Sequence, residues 1–238
     1  MATLQMESGL AGLKEKLLTM ASQAEAAVNH AVKALLRRDD DLARQTREDD
    51  WLIDQLEKEI DEAALELLTL QPSVTEVRTI AMGMRICHDL ERVGDEATTI
   101  SRRCVELCRE PPLNQTAEVP PMATRVLRML KQALDAFVYR DALLARTVLP
   151  QDAEVDALHR KLRQDLAAQM AAEPGAIERC LNLMVIFKSL ERIADHATNI
   201  AEDVVYLCEG QDIRHSKKAK SSLTAEVLPS PQTNRSPS

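Results

Sequence analysis

The sequence predicts an all-α protein formed by tandem duplication of a three-helix bundle, with six long helices and a disordered C-terminal tail. Three observations support this prediction: a composition suited to helices, apolar residues spaced by three and four, and an internal repeat. Aromatic residues make up only 2% of the 238 residues, whereas strands are typically rich in aromatic and β-branched residues. Ala, Leu, Glu and Arg, which are abundant in this chain, are good helix formers.

The internal repeat divides the chain into two units. The segment RDDDLAR at 38–44 aligns with RDALLAR at 140–146, at an offset of 102 residues. After a contraction of two residues, 86–107 aligns with 186–207 at an offset of 100, with 10 of 22 positions identical. A repeat of this length indicates that one structural unit occurs twice.

Three helices are predicted in the first unit, because apolar residues follow one another in steps of three and four. The first runs from Leu10 to Ala34 and ends near the acidic stretch RRDDD. The second runs from Ile53 to Leu70, where the Gln71-Pro72 pair prevents simple continuation. The third begins after Pro72 and ends before Pro111-Pro112. Short connections between long helices favour a bundle.

The second unit restarts after Pro120-Pro121 and repeats this pattern. We therefore predict the first bundle at residues 1–112 and the second at residues 113–212. Beyond that point the chain is rich in Ser, Lys, Pro, Thr and Gln, with too few apolar side chains to offset the entropy of ordering it. Residues 213–238 are predicted to form a disordered tail.

The charge and the cysteines limit the possible functions. A formal net charge of −8 argues against a protein that neutralises nucleic-acid phosphates, and it is compatible with cation binding. Five cysteines without a CxxC pair indicate reduced thiols rather than a disulfide framework. We expect a cytoplasmic protein, because the sequence shows neither a signal-peptide pattern nor an apolar run of about 18 residues.

The sequence gives little support for an enzyme. It contains no Gly-rich phosphate loop and no GxSxG nucleophile elbow. No nucleophile stands in a pattern that pairs it with a base. We therefore predict a non-catalytic protein.

Each unit carries two pairs of acidic residues at i, i+4, and such pairs share one face of a helix. The pairs are Asp50/Asp54 and Glu91/Asp95 in the first unit, and Asp152/Asp156 and Glu191/Asp195 in the second. If consecutive helices are antiparallel neighbours, the two pairs of a unit face each other across one groove. Two like charges at 4 Å cost roughly 4 kcal/mol at an effective dielectric of 20, so such a groove needs compensating charge.

Three kinds of compensation are open: bound protons, ion pairs with Arg92 and Arg192, or bridging cations. Oxygen ligands suit Mg²⁺, Mn²⁺, Ca²⁺ or iron, and helix bundles carry carboxylate-bridged metals. His196 and Asn199 extend the second cluster as candidate metal ligands. A single acid pair is more often a solvated helix face, and for both His88 and His196 we favour a partly exposed helix position over a ligand role.

The stretches LERVGDEATTI at 90–100 and LERIADHATNIAE at 190–202 resemble the repeated signature of the PhoU phosphate-signalling family, which reads approximately LERIGDHATNIAE. The acidic pairs, the duplicated three-helix architecture and the ending YLCEGQDIRH at 206–215 are also similar to that family. The resemblance therefore covers essentially residues 8–215.

This resemblance implies a cytoplasmic, usually homodimeric negative regulator of the phosphate-starvation response. Such proteins couple the ATP-driven phosphate importer to a sensor histidine kinase, so the implied partners are the ATPase subunit, PstB, and the kinase, PhoR. Two alternatives remain open: an accessory regulator of a low-affinity phosphate carrier, and a metal-binding or storage bundle.

Members of the family hold iron, zinc, manganese or magnesium at E/DxxxD motifs. The resemblance implies the following metal ligands in this chain: Asp50, Asp54, Glu91, Asp95, Asp152, Asp156, Glu191 and Asp195.

The two signature stretches differ from each other. Glu96 stands where the second stretch has His196, so the two clusters are expected to differ in metal affinity or occupancy. Ala194 stands where the family usually has glycine, as at Gly94. Because alanine is the better helix former, we expect it to stiffen the helix without changing a ligand.

Overall fold

The computed structural model describes the backbone of residues 2–214 and the side chains of residues 4–214. The described residues form seven α-helices: α1 (Ala2–Arg37), α2 (Asp40–Glu48), α3 (Trp51–Thr69), α4 (Val74–Leu107), α5 (Val119–Tyr139), α6 (Ala142–Ala172) and α7 (Ile177–Glu209). Short 3₁₀ turns at Asn114–Glu118 and Pro174–Ala176 precede α5 and α7. The predicted all-α class is confirmed.

The helices form two three-helix units that pack against each other. In the first unit α1, α3 and α4 pack together, and α2, which precedes α3 in the chain, packs against α1 and α4. In the second unit α5, α6 and α7 pack together. The units meet mainly where α4 packs against α7. The predicted duplication is confirmed, whereas the exact boundary at residue 112 stays a prediction.

The turn after the first helix has the same structure in both units. Arg38 and its equivalent Arg140 both adopt left-handed backbone conformations, with φ of 56° and 50°. Each is followed by an aspartate, Asp39 or Asp141, whose side chain accepts a hydrogen bond of 2.9 Å from the amide three residues later. Aspartate at this position caps the following helix. The repeat is therefore present in the backbone conformation as well as in the sequence.

The second helix differs between the units. In the first unit it is divided, because α2 ends at Glu48 and α3 begins at Trp51. In the second unit α6 is continuous, although it contains Pro150 at the position equivalent to Glu48. Proline has no amide hydrogen and removes one helical hydrogen bond. Both units thus interrupt the hydrogen-bond ladder shortly before the first acid of each cluster, Asp50 or Asp152.

The start of α5 corrects one prediction. The second unit was expected to restart after Pro120-Pro121, but α5 begins at Val119 and contains both prolines in its first turn. The amides of a first turn have no acceptor within the helix, so prolines are tolerated there.

The core follows the predicted apolar seams. Fully buried side chains include Leu90 and Ile100 on α4, and Ile193 and Ile200 on α7. Within residues 2–214, no helix is long and apolar enough to cross a membrane.

Most of the predicted disordered tail, residues 213–238, lies outside the described residues. At its start, Ile213 packs against the core, and Arg214 donates a hydrogen bond of 2.8 Å from Nε to Asp212. The prediction for residues 215–238 concerns a part of the chain that the structure does not describe.

Candidate metal clusters

The structure brings the acids of the first cluster together where α3 packs against α4. Burial raises the pKa of Asp50, and the charges of Asp54 and Asp95 raise it further. A hydrogen bond with Thr98 opposes this rise. The acids therefore influence one another across the two helices, as the sequence predicted for antiparallel neighbours.

Glu91, another predicted ligand of this cluster, contacts charged groups of both signs. Burial raises its pKa to about 7, and Asp95 contributes to the rise, whereas Arg92 opposes it. The half-exposed Arg92 divides its guanidinium between Glu91, with Nε 3.3 Å from Oε2, and Asp95, with Nη1 3.1 Å from Oδ2. Glu91 Oε2 is buried and accepts no hydrogen bond from the described residues.

Two further residues belong to this groove: Glu57 on α3, which the sequence did not single out, and His88 on α4, for which a partly exposed helix position was predicted. One ligand atom from each of Glu57, His88 and Glu91 lies within 4.8 Å of the others. The His88 side chain is 60% exposed, and its Nδ1 lies 3.9 Å from Glu91 Oε2. The available signal was helical spacing, since Glu57 follows Asp54 by three residues and His88 precedes Glu91 by three.

Gly94 allows α3 to approach α4 closely at the first cluster. A Cβ at this position would lie 2.7 Å from Ile53 Cδ1 and 3.3 Å from Asp50 Oδ1. The equivalent pair in the second unit is Ala194 with Val155. Ala194 is larger than Gly94, whereas Val155 lacks the Cδ1 atom of Ile53. The two units therefore fill this helix–helix contact with different side chains: glycine against isoleucine in the first unit, and alanine against valine in the second.

The second cluster places the equivalent acids between α6 and α7. Burial raises the pKa of Asp195 to about 6, and the negative charges of Glu191 and Asp152 contribute to the rise. Lys188 opposes it, whereas Asp156 adds a smaller increase. The other three predicted acids of this cluster thus lie within electrostatic range of Asp195.

Lys188 and His159 distinguish the second cluster from the first. Lys188 donates a hydrogen bond to Glu191 Oε2, and the Glu191 side chain is only 11% exposed. His159 Nδ1 lies 4.0 Å from Glu191 Oε1, and burial lowers the pKa of this histidine. At the repeat offsets, His159 is equivalent to Glu57, and Lys188 is equivalent to His88.

His196 and Asn199 lie at the interface between α4 and α7. His196 Nδ1 lies 2.8 Å from Asp89 Oδ1, and Asn199 donates a hydrogen bond of 3.3 Å to the same oxygen. Asp89 is buried. Both residues therefore contact a carboxylate of the first unit, and their predicted role as metal ligands stays a prediction.

Other charged pairs cross the same interface. Arg192 Nη1 donates a hydrogen bond of 3.1 Å to Glu96 Oε1. Arg85 Nη1 lies 3.0 Å from Asp203 Oδ1, and the Asp203 side chain is fully buried. Burial raises the pKa of Asp203 to about 6, although Arg85 opposes the rise. Since residue numbers fall along α7 as they rise along α4, the two helices are antiparallel.

The chemistry of the first cluster fits a divalent cation. Carboxylate oxygens and an imidazole nitrogen together suit zinc, manganese and iron. A buried oxygen without a hydrogen bond, such as Glu91 Oε2, is costly unless another group compensates it. Arg92 Nε, 3.3 Å from this oxygen, compensates it in part, and a bound ion would add to this compensation.

Comparison with known proteins agrees with this architecture. The PhoU domain model matches residues 17–104 and 119–204, one match in each unit. The phosphate-specific transport system accessory protein PhoU homolog of Pseudomonas aeruginosa is 41% identical over 213 residues, covering 89% of this chain and 88% of the relative. The Pseudomonas putida homolog is 40% identical over 225 residues, covering 94% of this chain and 87% of the relative.

Solved structures show the same fold. The crystal structure of PhoU from Pseudomonas aeruginosa matches with a TM-score of 0.83 at 40% identity, covering 86% of this chain and 99% of that chain. The phosphate transport system regulatory protein PhoU from Streptococcus pneumoniae matches with a TM-score of 0.81 at 27% identity, covering 87% and 99%. The resemblance noted in the sequence is confirmed, and the chain belongs to the PhoU family.

Proposed function

We propose that this protein is an accessory regulator of phosphate transport that restrains phosphate uptake and the phosphate-starvation response. The observation that carries this proposal is its 41% identity to a phosphate-specific transport system accessory protein, over 89% of the chain. The Streptococcus pneumoniae relative, named a phosphate transport system regulatory protein, supports the same role. The proposed role is regulatory and non-catalytic.

In this proposal the protein is an adaptor between two membrane-associated systems. Its direct partners are the ATPase subunit of the phosphate importer, PstB, and the sensor histidine kinase, PhoR. The protein acts in the cytoplasm as a homodimer and reaches the membrane only through these partners. The association of the relatives with the phosphate-specific transport system, which their names state, supports a transporter component as one partner.

The acidic clusters are the proposed metal sites of this regulator, and iron, zinc, manganese or magnesium is the ion. A bound ion supplies positive charge to carboxylates that otherwise repel one another. In the first cluster Asp50 and Glu57 belong to the α3 side, whereas Glu91 belongs to α4. Ligands from two helices would hold those helices in a fixed relative position, so the clusters would stabilise the surfaces that the unit presents to its partners.

Deletion of the gene tests the regulatory role. We expect phosphate-scavenging genes to be expressed in phosphate-rich medium when the protein is absent, because the restraint on the kinase is lost. The intact chain, returned on a plasmid, should restore repression. Unchanged expression in the deletion strain would contradict the proposal.

Affinity purification of the full-length chain from cells tests the adaptor role. Recovery of the ATPase subunit and the kinase is the expected result, and the control is the same tag without the protein. Recovery of a low-affinity phosphate carrier in their place would favour the alternative, in which the protein serves a different transporter.

A further inference from the structure

The two acidic clusters are built at equivalent positions but with different residues. At the repeat offsets, Glu57 is replaced by His159, and His88 is replaced by Lys188. With both histidines neutral, each exchange makes the second cluster one charge unit more positive. The second cluster therefore has less need of a bound cation than the first, although the four matched acids are of the same residue types.

In the second cluster, a side chain of the protein already provides a cation. The Lys188 ammonium group donates a hydrogen bond to Glu191 Oε2. Glu191 is nearly buried, with 11% of its side chain exposed, whereas 43% of the Lys188 side chain is exposed. An ion approaching Glu191 would have to displace the ammonium group or lie beside it.

The first cluster lacks a lysine at this place. His88 provides an imidazole there, and the ligand atoms of Glu57, His88 and Glu91 lie within 4.8 Å of one another. Arg92 does contact Glu91, but its guanidinium group also pairs with Asp95. Glu91 Oε2 remains buried without a hydrogen bond from the described residues.

We propose that the two units are not equivalent metal sites: the first cluster binds a divalent first-row transition metal through Glu57, His88 and Glu91, whereas Lys188 replaces the metal in the second. This inference rests on the metal-binding part of the proposed function and narrows it to one unit. One nitrogen and two oxygen ligands are typical of such metals. Ligand bonds of about 2.0–2.2 Å require the three atoms to move closer together, and the exposed His88 side chain can rotate to allow this.

The two clusters also differ in which helices they would join. Lys188 and Glu191 both belong to α7, so their ion pair does not join α7 to a neighbouring helix. The proposed ligands of the first cluster come from α3 and α4. Metal availability would therefore strengthen helix packing in the first unit and leave the second unit unaffected.

Reciprocal exchange of the two differing residues tests the inference on the full-length protein. The variants are His88→Lys, which gives the first cluster the residue type of the second, and Lys188→His, which does the reverse. Each protein is stripped with a chelator, titrated with cobalt(II), and measured for bound cobalt by elemental analysis. The fluorescence of Trp51 provides a second readout, because it is the only tryptophan of the chain, it directly follows Asp50, and paramagnetic cobalt quenches nearby fluorophores.

In the wild-type protein, cobalt should quench Trp51 as it binds. His88→Lys should weaken this binding by at least about tenfold, since loss of even an outer contact of a metal ligand costs about 10–100-fold. Lys188→His should increase the cobalt bound per chain while leaving the midpoint of the Trp51 titration unchanged. Circular dichroism checks that each variant is folded, and His88→Gln serves as a second first-cluster variant at this exposed position.

Two results would overturn the inference in distinguishable ways. If wild-type protein binds as much cobalt as Lys188→His, Lys188 does not close the second cluster, and the metal-binding part of the proposed function still stands. If no protein in the series binds cobalt at the first cluster, that part of the proposed function is wrong as well. The regulatory role does not depend on either result, because gene deletion tests it separately.

Discussion

His196 on α7 and Asp89 on α4 form a contact of 2.8 Å that joins the two units of the chain. Asp89 is buried and also accepts a hydrogen bond from Asn199. A buried carboxylate is costly without such partners. The histidine of the second signature stretch is thus already engaged in holding the two units together.

We expect Asp89 and His196 to be energetically coupled. In a double-mutant cycle with Asp89→Ala and His196→Ala, the coupling energy should be about 1.5–3 kcal/mol, the usual range for a hydrogen bond to a charged group. Denaturant unfolding of the four proteins measures it. Asn199→Ala, which removes the longer bond of 3.3 Å, is the comparison and should couple more weakly to Asp89→Ala. Additive effects for the first pair would show that the contact contributes nothing to stability.

His196→Ala should leave the amount of bound cobalt unchanged, because His196 contacts Asp89 rather than an acid of the clusters. Glu91→Gln is the matched positive control, since it alters a proposed ligand while keeping the size of the side chain. Elemental analysis after cobalt loading gives the result for both variants. A loss of cobalt in His196→Ala, equal to that in Glu91→Gln, would instead assign His196 to a metal site.

Gly94→Ala should destabilise the first unit unless Ile53 is shortened at the same time. The new Cβ would lie 2.7 Å from Ile53 Cδ1, and overpacking typically costs about 1–3 kcal/mol. The better helix propensity of alanine returns about 1 kcal/mol, so the single variant should lose up to about 2 kcal/mol.

The double variant Gly94→Ala/Ile53→Val reproduces the pair Ala194 and Val155 of the second unit. Ile53→Val costs about 0.5–1.5 kcal/mol by itself, and it removes the close contact with the new Cβ. This cost should nearly cancel the gain of about 1 kcal/mol from the better helix propensity of alanine at position 94. Denaturant unfolding of the single and double variants measures this compensation. If the double variant is no more stable than the sum of the single effects, the contact with Ile53 is not the cause.

Asp203 should make stability depend on pH in a defined window. Its pKa is raised by burial from 3.8 to about 6, so between these values the folded state binds more protons than the unfolded state. The protonation of Asp203 therefore stabilises the folded state. This contribution is complete below about pH 4 and is lost as the pH rises through about 6. A shift of this size corresponds to about 3 kcal/mol.

Asp203→Asn removes this titration and keeps the shape of the side chain. Its stability relative to wild type should therefore rise by up to about 3 kcal/mol between pH 4 and pH 7. Denaturant unfolding at several pH values measures the difference, in which other titrating groups cancel. A difference that does not change with pH would contradict the assignment to Asp203.

Much of the fold could be predicted from the sequence, because the apolar residues of a helix that packs in a core recur every three or four positions. The seam from Leu90 to Ile100 has this spacing, and both residues are buried in the structure. The acids of each cluster could also be grouped from the sequence. Helical spacing places each pair on one face, and antiparallel packing of consecutive helices brings the two pairs together. Helical spacing also places His88 one turn before Glu91, but only the structure shows that a ligand atom of Glu57 on α3 lies within 4.8 Å of ligand atoms of both. The partner of His196 was also hidden: Asp89 corresponds to Ser189 in the other unit, so the repeat gave no pattern to follow.

The interruption between α2 and α3 has no full counterpart in the second unit, where α6 continues through Pro150. Because α3 starts beside Asp50, the positive end of its dipole lies next to the first cluster. Asp152, inside a continuous helix, has no such helix end beside it. The amino-terminal end of a helix therefore lies beside the acids of the first unit, whereas the matching acids of the second unit lie along the middle of a continuous helix.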